Sequence, residues 1–222
     1  MLSIGNTLIF GDSYSTFAGC IPAGNATWYD TAEEHDEAHT TDVNAVEQTW
    51  WYGLLQETDS VLLRNESWSG STVCNTGYDG ADFSGWSFID RFDRLARDGF
   101  FEQDTVDTLL LFGGTNDSSA NSPVGELQYD GWTKEQLYCA LPAFCYLLSR
   151  MKAVLPNTRI IWLLNTDLRM EIEEGILAAC QHYGVESLCL RDIDKITGHP
   201  SIAGMKQIKE QVLSYLRQAA VP

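Results

Sequence analysis

The chain has 222 residues, 44 % of them hydrophobic, and its 31 acids against 14 bases give a formal net charge of −17. So acidic a surface repels phosphate backbones and anionic lipid head groups, which argues against nucleic acid as a partner and for a neutral small-molecule substrate. The length suits a single α/β domain over residues 1–222, no apolar run is long enough to span a bilayer, and Met1 to Asn6 lacks the basic and apolar stretches of a leader.

Thr7 to Phe10 is apolar and β-branched and too short for a helix, so it reads as a buried strand. Gly11 ends it, and Ser13 follows almost at once. Phe17 to Gln48 is long, irregular and rich in Gly, Thr, Asn and acids, which marks it as a candidate lid. Within it His35 and His39 stand at i and i+4, a spacing that metal ligands use on a helix. Asp36 occupies the place where the zinc-protease pattern requires Glu, so a solvated acidic segment is the expectation and no metal site is assigned.

Thr49 to Glu57 reads as a helix with Trp50, Trp51, Leu54 and Leu55 as its apolar stripe, and Ser60 to Arg64 as the second strand. Asn75 to Trp86 is a Gly- and Asp-rich loop without calcium-ligand spacing. Ser87 to Arg97 is helical, with Phe88, Phe92 and Leu95 on one face. Thr108 to Phe112 is the third strand and, being continuously apolar, a central one. After a third loop, Thr133 and Gln136 have the spacing of a capping box and Trp132 and Leu137 that of a hydrophobic staple. They are expected to start a helix that runs to about Val154 with a kink near Pro142.

Arg159 to Leu164 is the fourth strand, Arg169 to Tyr183 a helix closed by Gly184, Ser187 to Leu190 the fifth strand and Ser201 to Gln218 the last helix. Strands alternating with helices imply a parallel sheet between two helical layers, with right-handed crossovers. The six cysteines show no Cys-x-x-Cys spacing and are expected to be reduced core thiols, which fits a cytoplasmic protein.

Ser13, Gly70 and Asn116 each follow a strand, the first, second and third, and His199 lies between the fifth strand and the last helix. Parallel strands bring all four to one edge of the sheet, where open α/β sheets place ligands. Serine needs a base to become a nucleophile, and histidine titrates near working pH. Each of the four also has a plainer use, as a turn or cap residue or a surface histidine, but none of those uses explains their convergence.

The blocks Gly11-Asp12-Ser13, Gly70, Gly113-Gly114-Thr115-Asn116-Asp117 and His199-Pro200 resemble, in that order, the four blocks of the SGNH (GDSL-like) esterase and lipase family. The resemblance implies a flavodoxin-like strand order 2-1-3-4-5 and hydrolysis of a carboxylic ester without a cofactor. It further implies Ser13 as nucleophile and His199 as base. The oxyanion hole would come from the Ser13 and Gly70 N–H groups and the Asn116 amide.

One departure stands out: the family places Asp three residues before the His, and here that residue is Ile196. Asp194, with Asp192 behind it, is the substitute carboxylate, and a backbone carbonyl is the other option. A weakened or inactive site, a binding module on the same fold, is the non-enzyme alternative. The Gly-x-Ser-x-Gly elbow of the other large α/β hydrolase class is absent, as are dinucleotide and P-loop fingerprints. Trp28, Tyr29, Tyr78, Trp86, Tyr129 and Trp132 on the three loops suit stacking on sugar rings, so an acetylated carbohydrate is one expected substrate.

Overall fold

The structure, a computed structural model, describes residues 2–32 and 37–219. His35 and Asp36, half of the two-histidine spacing, lie outside the described residues. Five parallel strands form the central sheet: β1 (Asn6–Gly11), β2 (Val61–Ser67), β3 (Thr108–Phe112), β4 (Arg159–Leu164) and β5 (Glu186–Cys189), in the order β2-β1-β3-β4-β5. The first strand sits inside the sheet because the crossover to β2 goes one way and that to β3 the other, which leaves a crevice at the C-terminal end of β1.

Alternation along the strands divides the core in two. Leu8, Phe10, Leu109 and Leu111 face one cluster, packed under α2 (Phe88–Arg97), α5 (Ala140–Val154) and α6 (Met170–Tyr183). Ile9, Leu110, Phe112, Ile161 and Leu163 face the other, packed under α1 (Trp50–Glu57) and α7 (Ile202–Ala219). The result is a three-layer α/β/α sandwich whose central strands are buried on both faces, which is why they read as unbroken apolar runs. Two short helices, α3 (Phe100–Gln103) and α4 (Thr115–Ser119), and an antiparallel pair, β6 (Lys195–Ile196) with β7 (His199–Pro200), complete the elements used below.

The capping box forms but does not start the long helix. Thr133 N donates to Gln136 Oε1 at 2.8 Å and Gln136 N to Thr133 Oγ1 at 3.4 Å, and together they cap a 3-10 turn, Gln136–Tyr138. Cys139 is extended, and α5 begins at Ala140. Pro142 therefore falls in the first turn, where its missing N–H costs nothing, and not at a kink.

Candidate active site

Ser13 opens a 3-10 turn, Ser13–Ser15, directly after β1. Asp12 caps that turn, its Oδ1 accepting from Tyr14 N at 3.1 Å, and the Asp12 N–H donates to Phe112 O at the end of β3. The turn is thus bonded to two neighbouring strand ends. Asp12 is fully buried, and the loss of water pushes its carboxyl up to about 7, against the pull of the Tyr14 N–H.

Gly70 follows β2 with φ +81, the left-handed region that disfavours any side chain. A Cβ there would meet no protein atom within 4 Å, so the backbone conformation demands glycine and crowding does not. Asn116 lies in α4, after Gly114 at φ +97, where a Cβ would come within 2.7 Å of Ile176 Cδ1. Asn116 Nδ2 donates to Ser71 O at 3.0 Å, and its Oδ1 accepts from Tyr78 OH at 2.8 Å. The neighbouring Asp117 accepts from Val73 N and Cys74 N, so the loops after β2 and β3 are stitched together.

His199 comes from the hairpin β6–β7, in which Ile196 pairs with His199 across Thr197 and Gly198. Those two residues have φ +46 and +78, the positive values of a type I′ turn. His199 Nε2 lies 2.9 Å from Ser13 Oγ, and Nδ1 lies 3.2 Å from the Thr197 carbonyl oxygen. Burial is the main cause that lowers the imidazole to about 4, with the Thr197 hydrogen bond opposing it and His39 and Lys195 adding to it. The ring is therefore neutral at pH 7, with Nδ1–H donating to Thr197 and the Nε2 lone pair facing the serine.

Ser13, Gly70, Asn116 and His199 all stand at the C-terminal edge of the sheet. Asp194 is not brought to the imidazole. Its carboxylate accepts from the Ser201 hydroxyl, and its backbone carbonyl accepts from Ser201 N, so it secures the start of α7 instead. Two residues of the two-residue hairpin take His199 away from Asp194 while aiming the Thr197 carbonyl at the ring. Ile196, across the ladder, offers no polar atom.

Three features are not evident from sequence motifs. Arg91 is fully buried in α2 and donates to Glu66 O at 2.5 Å, Trp86 O at 3.1 Å, Gly11 O at 3.2 Å and Ser71 Oγ at 3.2 Å. Its only signal is position: it stands three residues after Phe88, on the apolar stripe. Tyr78 on the Gly-rich loop sets the Asn116 amide, and Trp28 stacks on His199 with centroids 3.5 Å apart and planes 10° apart. The other loop aromatics serve elsewhere: Tyr29 is buried with its hydroxyl on Pro200 O, Tyr129 stacks on His182, Trp132 packs edge-on against Tyr146, and Trp86 sits beside Phe83.

A cavity of about 360 Å³ opens over the Ser13–His199 pair, with Tyr78, Ser118, Asn165, Asp167 and Lys195 among its walls. Lys195 Nζ is held at 2.6 Å from Thr166 Oγ1. Among the described residues no cluster of three or more His, Cys, Asp or Glu is arranged to hold a metal, and no helix is long and apolar enough to cross a membrane.

Fold and site together define a three-layer α/β/α protein with a Ser–His pair at its sheet crevice. The sequence profile described as GDSL-like lipase/acylhydrolase matches residues 6–216, and the chain belongs to that family. A candidate GDSL-like lipase from Bacteroides ovatus is 44 % identical, with a TM-score of 0.89 over 98 % of this chain and 99 % of that one. Another, from Bacteroides uniformis, is 47 % identical, with a TM-score of 0.88 over 96 % of each chain. A family two carbohydrate esterase from Clostridium thermocellum shares the fold at 17 % identity, with a TM-score of 0.65 over 98 % of this chain and 64 % of that one. A search of curated protein sequences finds no match.

Proposed function

We propose that this family member is a serine esterase in which Ser13 attacks the ester carbonyl and His199 moves the proton. The observation that carries this is the 2.9 Å contact between Ser13 Oγ and His199 Nε2, from residues far apart in the chain. The neutral ring takes the Ser13 proton as Oγ adds to the carbonyl carbon, then gives it to the departing alkoxide. Water repeats the sequence on the acyl-Ser13 ester. The Ser13 and Gly70 N–H groups and Asn116 Nδ2 stabilise the oxyanion, and Tyr78 keeps the amide nitrogen of Asn116 turned away from its own side. Thr197 O takes the orienting place that a triad acid holds elsewhere, so the centre is a dyad with a backbone acceptor.

The cavity favours a small acyl group on a polar alcohol, because hydroxyl, amide and charged side chains supply much of its wall. An acetyl ester of a carbohydrate fits that lining, and the carbohydrate esterase that shares the fold supports the choice. The missing carboxylate at His199 favours a second reading, a site that binds such a ligand and hydrolyses it slowly or not at all.

One experiment separates them. Hydrolysis of a chromogenic acetyl ester is expected, with kcat falling about 10³-fold or more in Ser13→Ala and a fluorophosphonate labelling Ser13 in the unaltered protein. Asp194→Asn is expected to keep kcat within about threefold, since that carboxylate serves Ser201. Ligand binding with no turnover and no label would replace the esterase by the binding module.

A further inference from the structure

A triad carboxylate does two things for histidine: it fixes the ring, and it stabilises the imidazolium that forms during attack. Here Nδ1 meets a neutral carbonyl, which is a weaker partner for a cation than a carboxylate is. The charges nearest the ring do not compensate, because Lys195 and His39 both disfavour its protonation. What lies against the ring is an indole. Trp28 covers one imidazole face, nearly parallel and at stacking distance, while Tyr14 approaches at 5.4 Å and 58°. A parallel stack resists tilting but leaves the ring edge open. That edge carries both hydrogen bonds, Nδ1 to Thr197 and Nε2 to Ser13. The indole plane therefore selects the ring plane that holds both partners at once. Among aromatic faces, indole is also the best host for a cation.

Trp28 is built into both halves of the dyad. Its N–H donates to Thr16 Oγ1 at 2.9 Å, and that hydroxyl donates to Ser13 O at 2.9 Å. Its carbonyl oxygen accepts from His39 Nε2, three residues before Asp42, whose Oδ1 accepts from Ile202 N at the start of α7. Between them, Thr40 O accepts from Thr197 Oγ1 at 2.5 Å. That last bond anchors a β-branched residue at φ +46, a strained conformation that has to be held for its carbonyl to reach Nδ1. The loop carrying Trp28 thus spans the serine turn and the histidine hairpin.

We propose that Trp28 is a positioning residue that takes over the work of the missing triad acid, holding the His199 ring in the plane of Ser13 and Thr197 and stabilising its protonated form in the transition state. This rests on the Ser13–His199 reading. It would make the first loop part of the catalytic device and not merely a cover over the substrate.

The test compares Trp28→Phe, which keeps an aromatic face, with Trp28→Leu, which does not. On a chromogenic acetyl ester, Trp28→Leu is expected to lower kcat about 10- to 30-fold with KM within about twofold, the span a cation–π contact of this kind supports. Trp28→Phe should stay within about threefold of the unaltered protein. Equal losses in the two variants, or a change confined to KM, would overturn the proposal, the second because it would make Trp28 a wall of the substrate cavity. If Trp28→Leu does not fold, Trp28→Met carries the same expectation.

A second readout does not depend on turnover. Imidazole ¹⁵N shifts should show one tautomer of His199, with the proton on Nδ1, in the unaltered protein and in Trp28→Phe, and averaging of both tautomers in Trp28→Leu. A single unchanged tautomer in Trp28→Leu overturns the positioning role whatever the activity. Loss of turnover and of fluorophosphonate labelling in the unaltered protein would instead strike the esterase reading, with the tautomer measurement still deciding the role of Trp28.

Discussion

At the scale of residues, the site is governed by what water cannot reach. His199 is lowered to about 4 from an ordinary 6.5, chiefly because burial disfavours the imidazolium. The sign for activity follows: the base is competent wherever the ring is neutral, so the acid limb of kcat/KM should fall near pH 4 to 5, with a plateau through pH 7. An acid limb at pH 6 or above would show a ring as hydrated as one in water. The same shift makes a stability statement. The unfolded chain takes up this proton near 6.5 and the folded one only near 4, so the contribution of His199 is complete above 6.5 and is lost as pH falls toward 4. Asp12 works in the opposite sense. Its folded value of about 7 lies above the unfolded 3.8, so its contribution is present below 3.8 and is lost as pH rises through 7. Asp12→Asn should flatten that alkaline decline in a series of melting temperatures, since an amide oxygen can still accept from Tyr14 N.

At the scale of elements, the catalytic edge is assembled from loop ends that would splay without internal ties. Arg91 of α2 is the densest of these ties: it joins the ends of β1 and β2 to the loop after β2, with its guanidinium over the rings of Phe10 and Phe88 at 4.8 and 4.5 Å. Burial lowers it to about 10, so it stays charged at neutral pH. Arg91→Met would strip donors from three buried carbonyls at once, and urea unfolding should show a loss of about 3 kcal/mol or more. Arg91→Lys should recover only part of it, because an ammonium cannot reproduce the planar fork. A loss below about 1 kcal/mol in Arg91→Met would mean that the loops are held by packing alone.

At the scale of the whole molecule, the acidic surface is the dominant long-range feature. A formal charge of −17 opposes the compact state through self-repulsion. Added salt screens exposed charges beyond a few ångströms, so the melting temperature should rise between about 20 mM and 0.5 M sodium chloride. A fall over that range would show that local ion pairs, such as Arg159 with Glu186 at 2.7 Å, outweigh the net repulsion.

The sequence by itself determined the sheet and its edge. Continuous apolar runs such as Thr108–Phe112 must be buried on both faces, and strands that alternate with amphipathic helices must be parallel, so Ser13, Gly70 and Asn116 had to share one end. Those patterns are local, and one strand or one helical turn is enough to express them. Helix starts were less legible: the Thr133–Gln136 box satisfies its own backbone groups whether an α-helix or a single 3-10 turn follows. Tertiary structure alone decided the partners. Arg91 reads as a surface residue until β1 and β2 end beside it. Asp194 stands close to His199 in the chain but is turned to Ser201 by a two-residue hairpin, and the ring receives a carbonyl from its own turn and an indole from a distant loop. Hydrogen-bond direction and stacking depend on orientations in space that residue spacing along the chain does not carry, and at this site those orientations replace the carboxylate that the sequence lacks.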